Sequence, residues 1–388
     1  MKFARKAFAT IALPGLAFFS ALFVSGLLIA FSDPNVLKLA HSPLKFIGGA
    51  LAAAGKAYLA LFEGAIYDPN LAHPNFFDGF YPLSETLVSA APLILTGLSV
   101  ALAFRAGLFN IGAQGQFIFG AIGASVVGFK TTMPIGIHVI AAIVTAMVFA
   151  GLWGGFVGLL KARTGAHEVI VTIMLNYVAY LLLSILLKNP LFQREGSTNP
   201  ISKIVPDSAA MPQIIEGLRV TWWFPLALLT AAAVSWLLFK STKGFEFRAV
   251  GLNPGAAKYA GISVALTTVL TMTISGGLAG LAGASVMLVP RGTLSPGFSP
   301  GYGFDGIAIA LLGRSRPSGV VAAALLFGVL RAGATTMQAS TQIPIDLVVV
   351  VQSFVIMFIA APALVRGIYR IRTTKVTGTE VFMKGWGA

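Results

Sequence analysis

Cysteine is absent from this 388-residue sequence, and charged side chains make up only 10% of it. Without cysteine there can be no disulfide, no zinc site built on thiolates and no catalytic thiol. Soluble domains carry about a quarter charged residues, whereas this chain is 56% hydrophobic. We therefore predict an all-α integral membrane protein, with a single membrane domain over residues 1–388.

Signatures of catalytic sites are also missing. A run that resembles a phosphate-binding loop has a Gly49–Gly55 spacing one residue too long, and Ala57 stands where a hydroxyl would hold magnesium. His167 and Glu168 begin like a metalloprotease motif, but the second histidine is replaced by valine, and the other histidines are scattered. We expect no enzyme activity, no metal and no cofactor bound by this chain.

Apolar runs dominate what is present. A basic N-terminus leads into an uncharged run that is too long for a signal peptide, so we interpret it as a retained first helix. A membrane crossing needs about 20 apolar residues, and about ten runs qualify or come close. The predicted spans are 8–30, 86–104, 113–129, 134–160, 169–187, 220–239, 262–289, 304–313, 317–338 and 346–365.

The basic residues predict the orientation, because loops on the cytoplasmic side carry an excess of Lys and Arg. If the chain starts in the cytoplasm, 17 of the 27 Lys and Arg fall inside, so both termini are predicted to be cytoplasmic. The inside set is Lys2, Arg5, Lys6, Arg105, Lys161, Arg163, Lys240, Lys243, Arg248, Lys258, Arg314, Arg316, Arg366, Arg370, Arg372, Lys375 and Lys384.

The segments between the spans divide accordingly. Residues 31–82 are predicted as an external segment with surface helices, because Lys38, Lys45 and Lys56 interrupt its apolar run. We further predict an external loop at 189–219, a cytoplasmic loop at 240–262 and a cytoplasmic tail at 366–388.

Two polar, glycine-rich interruptions break the apolar pattern, near 105–116 and 296–313. Irregular backbone at membrane depth is tolerated only where it is buried in protein or lines a cavity. We predict broken or re-entrant segments that face each other across a pathway, with Asp305 near its external mouth. For the second segment, the alternative to a re-entrant structure is a short external loop and a tilted helix.

Amide side chains both donate and accept hydrogen bonds, and aromatic faces stack on rings, so together they suit an uncharged polar substrate. Plain hydrogen bonds between helices are the alternative explanation for each amide. The residues predicted to line the substrate pathway are Phe109, Asn110, Gln114, Gln116, Phe117, Asn176, Phe304 and Asp305.

The loop 240–262 contains a helix-start signal, Asn253 followed by Pro254, and then a run of small residues. Small side chains suit docking into a groove on a partner, although a plain connecting loop fits as well. Two classes of function remain open: a permease driven by a separate ATPase, and a secondary transporter driven by an ion gradient. The spans contain almost no carboxylates, which disfavours ion coupling, and the absent catalytic sets disfavour a membrane enzyme.

The run AAKYAG (256–261) is similar to the coupling loop of permeases in ATP-binding-cassette (ABC) importers, with Gly255 where many have Glu. Together with RAGLFNIGAQGQ (105–116) and HEVIVTIMLNY (167–177), it resembles the nucleoside branch of the ribose/branched-chain amino acid permease family. The resemblance covers about residues 83–365. It implies a coupling set of Arg248, Asn253, Pro254, Gly255, Ala256, Ala257 and Gly261.

The resemblance also implies partners and a location. They are a second permease, an ATPase subunit that uses ATP and Mg²⁺, and an external substrate-binding protein, at a bacterial inner membrane. No nucleic-acid partner is expected. The implied substrate is a nucleoside, with a ribose-like sugar as the runner-up.

Overall fold

The computed structural model describes residues 2–39, 41–71, 76–341, 344 and 346–370. Within these residues the chain is helical, with two isolated β-bridges and no strand, as predicted. The helices are α1 (Lys2–Ser32), α2 (Pro34–Leu37), α3 (Pro43–Ala65), a 3-10 helix (Phe76–Phe80), α4 (Tyr81–Arg105), α5 (Ala113–Lys130), α6 (Ile137–Thr164), α7 (Glu168–Leu186), α8 (Trp223–Lys240), α9 (Thr242–Leu252), α10 (Pro254–Tyr259), α11 (Val264–Met287), α12 (Tyr302–Leu312), α13 (Pro317–Thr341), α14 (Asp346–Ala360) and α15 (Pro362–Ile368).

Eight helices in the described chain are long and apolar enough to cross a membrane, which makes this a multi-pass membrane protein. They are α1, α3, α4 with the preceding 3-10 turn, α6, α7, α8, α11 and α13, and α12 and α14 are shorter apolar helices. Each of the ten predicted spans overlaps at least one helix. The helix α3 reaches the required length and hydropathy although its lysines predict a surface helix.

Residues 56–345 form one compact unit around α4 and α11. Every residue of α4 from 90 to 103 is buried, as expected for a helix that is apolar on all sides. The helix α11 lies so close to α6 that a Cβ added at Gly154 or Gly276 would collide with the facing backbone. Within a membrane no hydrophobic effect drives helices together, so close van der Waals packing of this kind stabilises the helix pair instead.

The predicted external loop between α7 and α8 is ordered. Its backbone bonds the segment after α11, through Val205 N–H to Gly292 O at 3.0 Å and Met211 N–H to Leu288 O at 2.9 Å. The Trp223 indole donates to the same Leu288 carbonyl at 3.1 Å. The loop is thereby fixed to the end of α11.

A second unit comprises residues 1–55 and 346–388. In it α1 packs against α14 and α15, and the hydroxyls of Ser20 and Tyr369 lie 2.9 Å apart. Most of the predicted tail at 366–388, including three of its basic residues, lies outside the described residues.

Candidate functional site

The gap between α4 and α5 is a largely buried connection. Gly107 has φ +71°, a left-handed conformation that glycine adopts at no steric cost, and it follows the end of α4. The Leu108 N–H turns back to Ala103 O at 3.0 Å. Asn110 is fully buried, and its Oδ1 accepts a hydrogen bond from Gly112 N–H at 3.1 Å. This asparagine therefore orders the turn into α5.

Asn110 and Gln116 bind each other reciprocally. The Asn110 amide donates to Gln116 Oε1 at 2.8 Å, and the Gln116 amide donates to Asn110 Oδ1 at 3.1 Å. Asn110 also donates to Ser275 Oγ at 2.8 Å, and Ser275 exchanges hydroxyl-to-carbonyl bonds with Ser99. This buried network ties the gap to α4 and α11.

Asn176 of α7 bonds the same region from another side. Its Oδ1 accepts from Gly115 N–H at 2.8 Å, and its Nδ2 donates to Ile111 O at 3.0 Å. The first N–H groups of a helix have no partner within the helix, so Asn176 serves α5 as a cap supplied by a neighbour. The amides of Asn110, Gln116 and Asn176 are all bonded within the protein.

Phe109 is held from two directions. Its ring lies 4.7 Å from that of Phe104, and its N–H donates to Glu168 Oε1 at 3.4 Å. The other Glu168 oxygen pairs with Lys161 at 2.5 Å, which also closes the α6–α7 turn. The motif beginning at His167 therefore contributes a carboxylate that positions the gap.

The two irregular segments are in direct contact. The Gln114 amide donates to Ser299 Oγ at 2.8 Å and accepts from Gly303 N–H at 2.9 Å. The buried Phe117 ring lies 5.7 Å from the ring of Tyr302. The sequence predicts that these segments face each other across a pathway; at Gln114 and Phe117 they are instead in direct contact, so no open path separates them there.

A charged cluster lies on the other side of the second segment. Arg331 of α13 donates to Pro300 O at 2.8 Å, lies 4.4 Å from the centre of the Tyr302 ring, and pairs with Asp305 at 3.4 Å. The Asp305 and Arg331 side chains are 29% and 24% exposed. Phe304 is 50% exposed. Among the predicted pathway residues, Phe304 is exposed, Asp305, Gln114 and Phe109 are partly exposed, and Asn110, Gln116, Phe117 and Asn176 are buried.

The sequence assigns no role to Ser275, Ser299 or Tyr302, and it marks Arg331 only as a polar candidate within a span. Arg331 carried a signal, since a cation inside a span is expensive and needs a partner. The partner, Asp305, is on another helix, and no spacing rule connects the two. The hydroxyls and the tyrosine carried no signal that separates them from other residues of their type.

The predicted coupling loop folds as α9 and α10. The Asn253 side chain accepts from Ala256 N–H at 3.0 Å, and Pro254 is the first residue of α10, as the start signal predicts. Gly261 follows the helix with φ +83°. Gly255, Ala256 and Tyr259 are exposed, and Tyr259 reaches 96%.

Ala257 differs from the other small residues of the loop. It is only 4% exposed, because α10 lies against α9 and α11. A large side chain at Ala257 would therefore disturb packing inside the loop as well as any partner. Gly255 and Ala256, like most residues of the loop other than Ala257, are exposed.

The coupling loop touches the polar gap through glycine. A Cβ added at Gly251 of α9 would collide with the backbone of Arg105, and one at Gly107 would lie 3.0 Å from Gly251 Cα. On the same side, the guanidinium groups of Arg105 and Arg248 lie 5.7 and 5.6 Å from the centre of the Phe239 ring. Both arginines belong to the pattern Phe-Arg-Ala then Asn-x-Gly-Ala, which occurs at each of the two sites.

One cavity of the compact unit, of about 220 Å³, is lined by residues that include Phe129, Lys203 and Ser208. A cavity of about 80 Å³ lies beside Gln213, Arg219 and Trp223, with room for a few water molecules. Among the described residues, no group of three or more His, Asp or Glu side chains is placed to hold a metal ion.

Comparisons with known proteins place this architecture in context. The family described as "Branched-chain amino acid transport system / permease component" matches residues 83–360. The chain is 40% identical over 340 residues to the guanosine ABC transporter permease protein of Bacillus subtilis (strain 168), covering 85% of this chain and 96% of the relative. No solved structure matches significantly.

Two further relatives are similar over most of their length. A nucleoside ABC transporter permease protein of Lactococcus lactis subsp. cremoris is 37% identical, covering 72% of this chain and 79% of the relative. A glucose ABC transporter permease protein of Haloferax volcanii is 32% identical, covering 82% of this chain and 86% of the relative.

Proposed function

The chain belongs to the permease family of the branched-chain amino acid transport system, and from this membership we propose that it forms half of the pathway of an ATP-driven nucleoside importer. Proteins of this family are transport subunits, and ATP is hydrolysed by a separate partner. The observation that carries the substrate class is the alignment with a guanosine permease over nearly the whole of both chains.

The proposed assembly contains a second permease, a cytoplasmic ATPase that uses ATP and Mg²⁺, and an external binding protein that delivers the nucleoside. The proposed location is the bacterial inner membrane. This chain itself binds no cofactor in the proposal.

We propose that the chain crosses the membrane ten times, with both termini in the cytoplasm. The distribution of Lys and Arg supports this topology. Helix α3 then lies on the external surface, where its Lys45 and Lys56 side chains, both exposed, meet water. The coupling helices α9 and α10 lie on the cytoplasmic side together with Arg105 and Arg248.

The proposed pathway wall is built around the contact between the two irregular segments. Asn110, Gln116 and Asn176 hold the wall, and Phe109 and Phe117 pack behind it. The surface offered to a substrate comes from Phe304 and Asp305, with Gln114 partly exposed beside them. Charged and polar groups within membrane segments usually face a cavity or a partner rather than lipid, which supports this assignment.

We propose that α9 and α10 transmit movement from the ATPase. Their exposed small residues at Gly255 and Ala256 fit a partner groove, as the family resemblance implies. The Gly107–Gly251 contact then passes a displacement of the coupling loop directly to the gap that begins the pathway wall. The other residues of the predicted coupling set, Asn253 and Gly261, shape the ends of α10.

A simple sugar is the second candidate substrate, because the Haloferax volcanii relative is named for glucose. Uptake of labelled guanosine by the reconstituted complex, with unlabelled competitors, separates the two. We expect excess uridine or inosine to reduce uptake strongly, and excess glucose or ribose to leave it unchanged. Competition by glucose but not by nucleosides would reject the nucleoside proposal.

A further inference from the structure

The carboxylate of Asp305 has open hydrogen-bonding capacity. A carboxylate offers about four acceptor positions. Among the described residues, the contact of Asp305 is the ion pair with Arg331, which joins Oδ2 to Nη2 at 3.4 Å. The amides of Asn110, Gln116 and Asn176 accept and donate within the protein, whereas this carboxylate is 29% exposed. It is the acidic group of the wall that a ligand can reach.

Arg331 fixes the position of that carboxylate. Its guanidinium is anchored by the Pro300 carbonyl and by the Tyr302 ring, so it cannot follow a mobile anion. Its Nη1 is buried without a hydrogen-bond partner in the described part of the chain. Buried unsatisfied donors are few in native proteins and call for an explanation, such as a missing ligand or water. The cluster is therefore charge-balanced but not saturated with hydrogen bonds.

The surface around Asp305 differs from the lipid-facing type. Up to its basic last turn, the exposed large side chains of α6, such as Ile140, Leu152 and Phe156, are all apolar, as lipid contact favours. The first turn of α12 instead exposes the Asp305 carboxylate in part, next in sequence to the exposed ring of Phe304. An acid next to an aromatic face matches a molecule with hydroxyl groups and a flat ring.

We propose that Asp305 accepts hydrogen bonds from the ribose hydroxyls of the substrate, while Phe304 offers a face to its base. This inference rests on the proposed nucleoside transport and adds a chemical requirement to it. A site built to bond a substrate hydroxyl discriminates strongly against analogues that lack it, because its polar group is left unpaired. The importer then prefers ribonucleosides to 2′,3′-dideoxynucleosides at the membrane step.

The test compares guanosine with 2′,3′-dideoxyguanosine in the reconstituted complex, as the wild type and as Asp305→Asn. Both complexes use the same binding protein. Its own preference therefore cancels when the guanosine-to-dideoxyguanosine uptake ratio of the wild type is divided by that of the variant. Hydrogen bonds to charged groups predict that the variant loses roughly 10- to 100-fold of the preference. The loss should fall on guanosine, with dideoxyguanosine uptake little changed.

Asp346→Asn is the matched control, since Asp346 also lies in the first turn of an apolar helix, and it should keep the wild-type ratio. An Asp305→Asn complex that transports guanosine with the wild-type ratio overturns the inference and leaves nucleoside transport standing. If the variant does not assemble, the wild type still decides, because equal uptake of both compounds at saturating binding protein also overturns it. Absence of any nucleoside uptake rejects the proposed function instead.

Discussion

At the residue scale, polar side chains in the apolar core divide into two kinds. Asn110 and Gln116 bond each other, Asn110 also bonds Ser275, and Asn176 bonds the backbone at Gly115 and Ile111. Asp305 keeps accessible surface and open acceptors. The division follows from the cost of an unsatisfied polar group away from water, which keeps most buried amides bonded.

Replacing Asn176 should therefore lower the stability of the protein without changing its substrate preference. Asn176→Ala leaves Gly115 N–H and Ile111 O without their partner, and each lost buried partner costs about 1–3 kcal/mol. We expect a lower melting temperature of the purified protein in detergent, with an unchanged order of substrate preference. Asn189→Ala, which removes an exposed amide, should melt like the wild type. An unchanged melting temperature together with altered preference would make Asn176 a ligand contact.

At the element scale, the broken connection between α4 and α5 lies between the two proposed functional regions. One end touches α9 through Gly251, and the other end touches the start of α12 through Gln114. The first contact packs backbone on backbone, and the second is a hydrogen-bonded amide. Because both are tightly packed, a displacement at one end is transmitted rather than absorbed. The polar gap therefore connects the coupling loop to the start of α12 through direct contacts.

Gly251→Ala tests the contact between α9 and the gap. Its new Cβ would collide with the Arg105 and Ala106 backbone, so the loop must shift away. We expect ATP hydrolysis by the complex to continue while guanosine uptake per ATP falls several-fold. Gly55→Ala adds the same methyl group where no atom lies within 4 Å and should not change this ratio. Normal coupling in assembled Gly251→Ala complexes would remove the contact from the route.

The exposed face of α10 gives a second element-scale prediction. Ala256→Trp adds bulk on the surface proposed for the ATPase and should abolish uptake while membrane insertion continues. Ala233→Trp, at an exposed alanine of α8, controls for the added side chain. Co-purification of the ATPase with each variant locates the defect, and full uptake by Ala256→Trp would place the docking surface elsewhere.

Sequence alone predicted seven of the eight helices that are long and apolar enough to cross a membrane, because a span is a local property of about 20 residues; the eighth is α3, which it placed on the surface. It also predicted the start of α10, since Asn253 and Pro254 act within one turn. The contacts that define the site were beyond its reach. Gln114 and Ser299 are 185 residues apart, and the pairing of Asp305 with Arg331 depends on how α12 and α13 pack. Burial of Ala257 depends in the same way on tertiary packing.

At the scale of the whole molecule, the cysteine-free chain allows its topology to be read by single cysteines. Gly55→Cys on α3 should react with a membrane-impermeant maleimide from outside, if α3 lies on the external surface. Tyr259→Cys on α10 should react only after the membrane is permeabilised and the reagent reaches the cytoplasmic side. Protection of Gly55→Cys from both sides would instead make α3 a crossing and would reverse the orientation of the helices C-terminal to it.

The central claim concerns the complete assembly, because this chain supplies a path and a separate subunit supplies the energy. The most direct measurement is accumulation of labelled guanosine in proteoliposomes that contain both permeases, the ATPase and the external binding protein. The account predicts accumulation that requires ATP and Mg²⁺ on the ATPase side and persists when ionophores collapse ion gradients. Accumulation that continues without ATP and stops with the ionophores would contradict it.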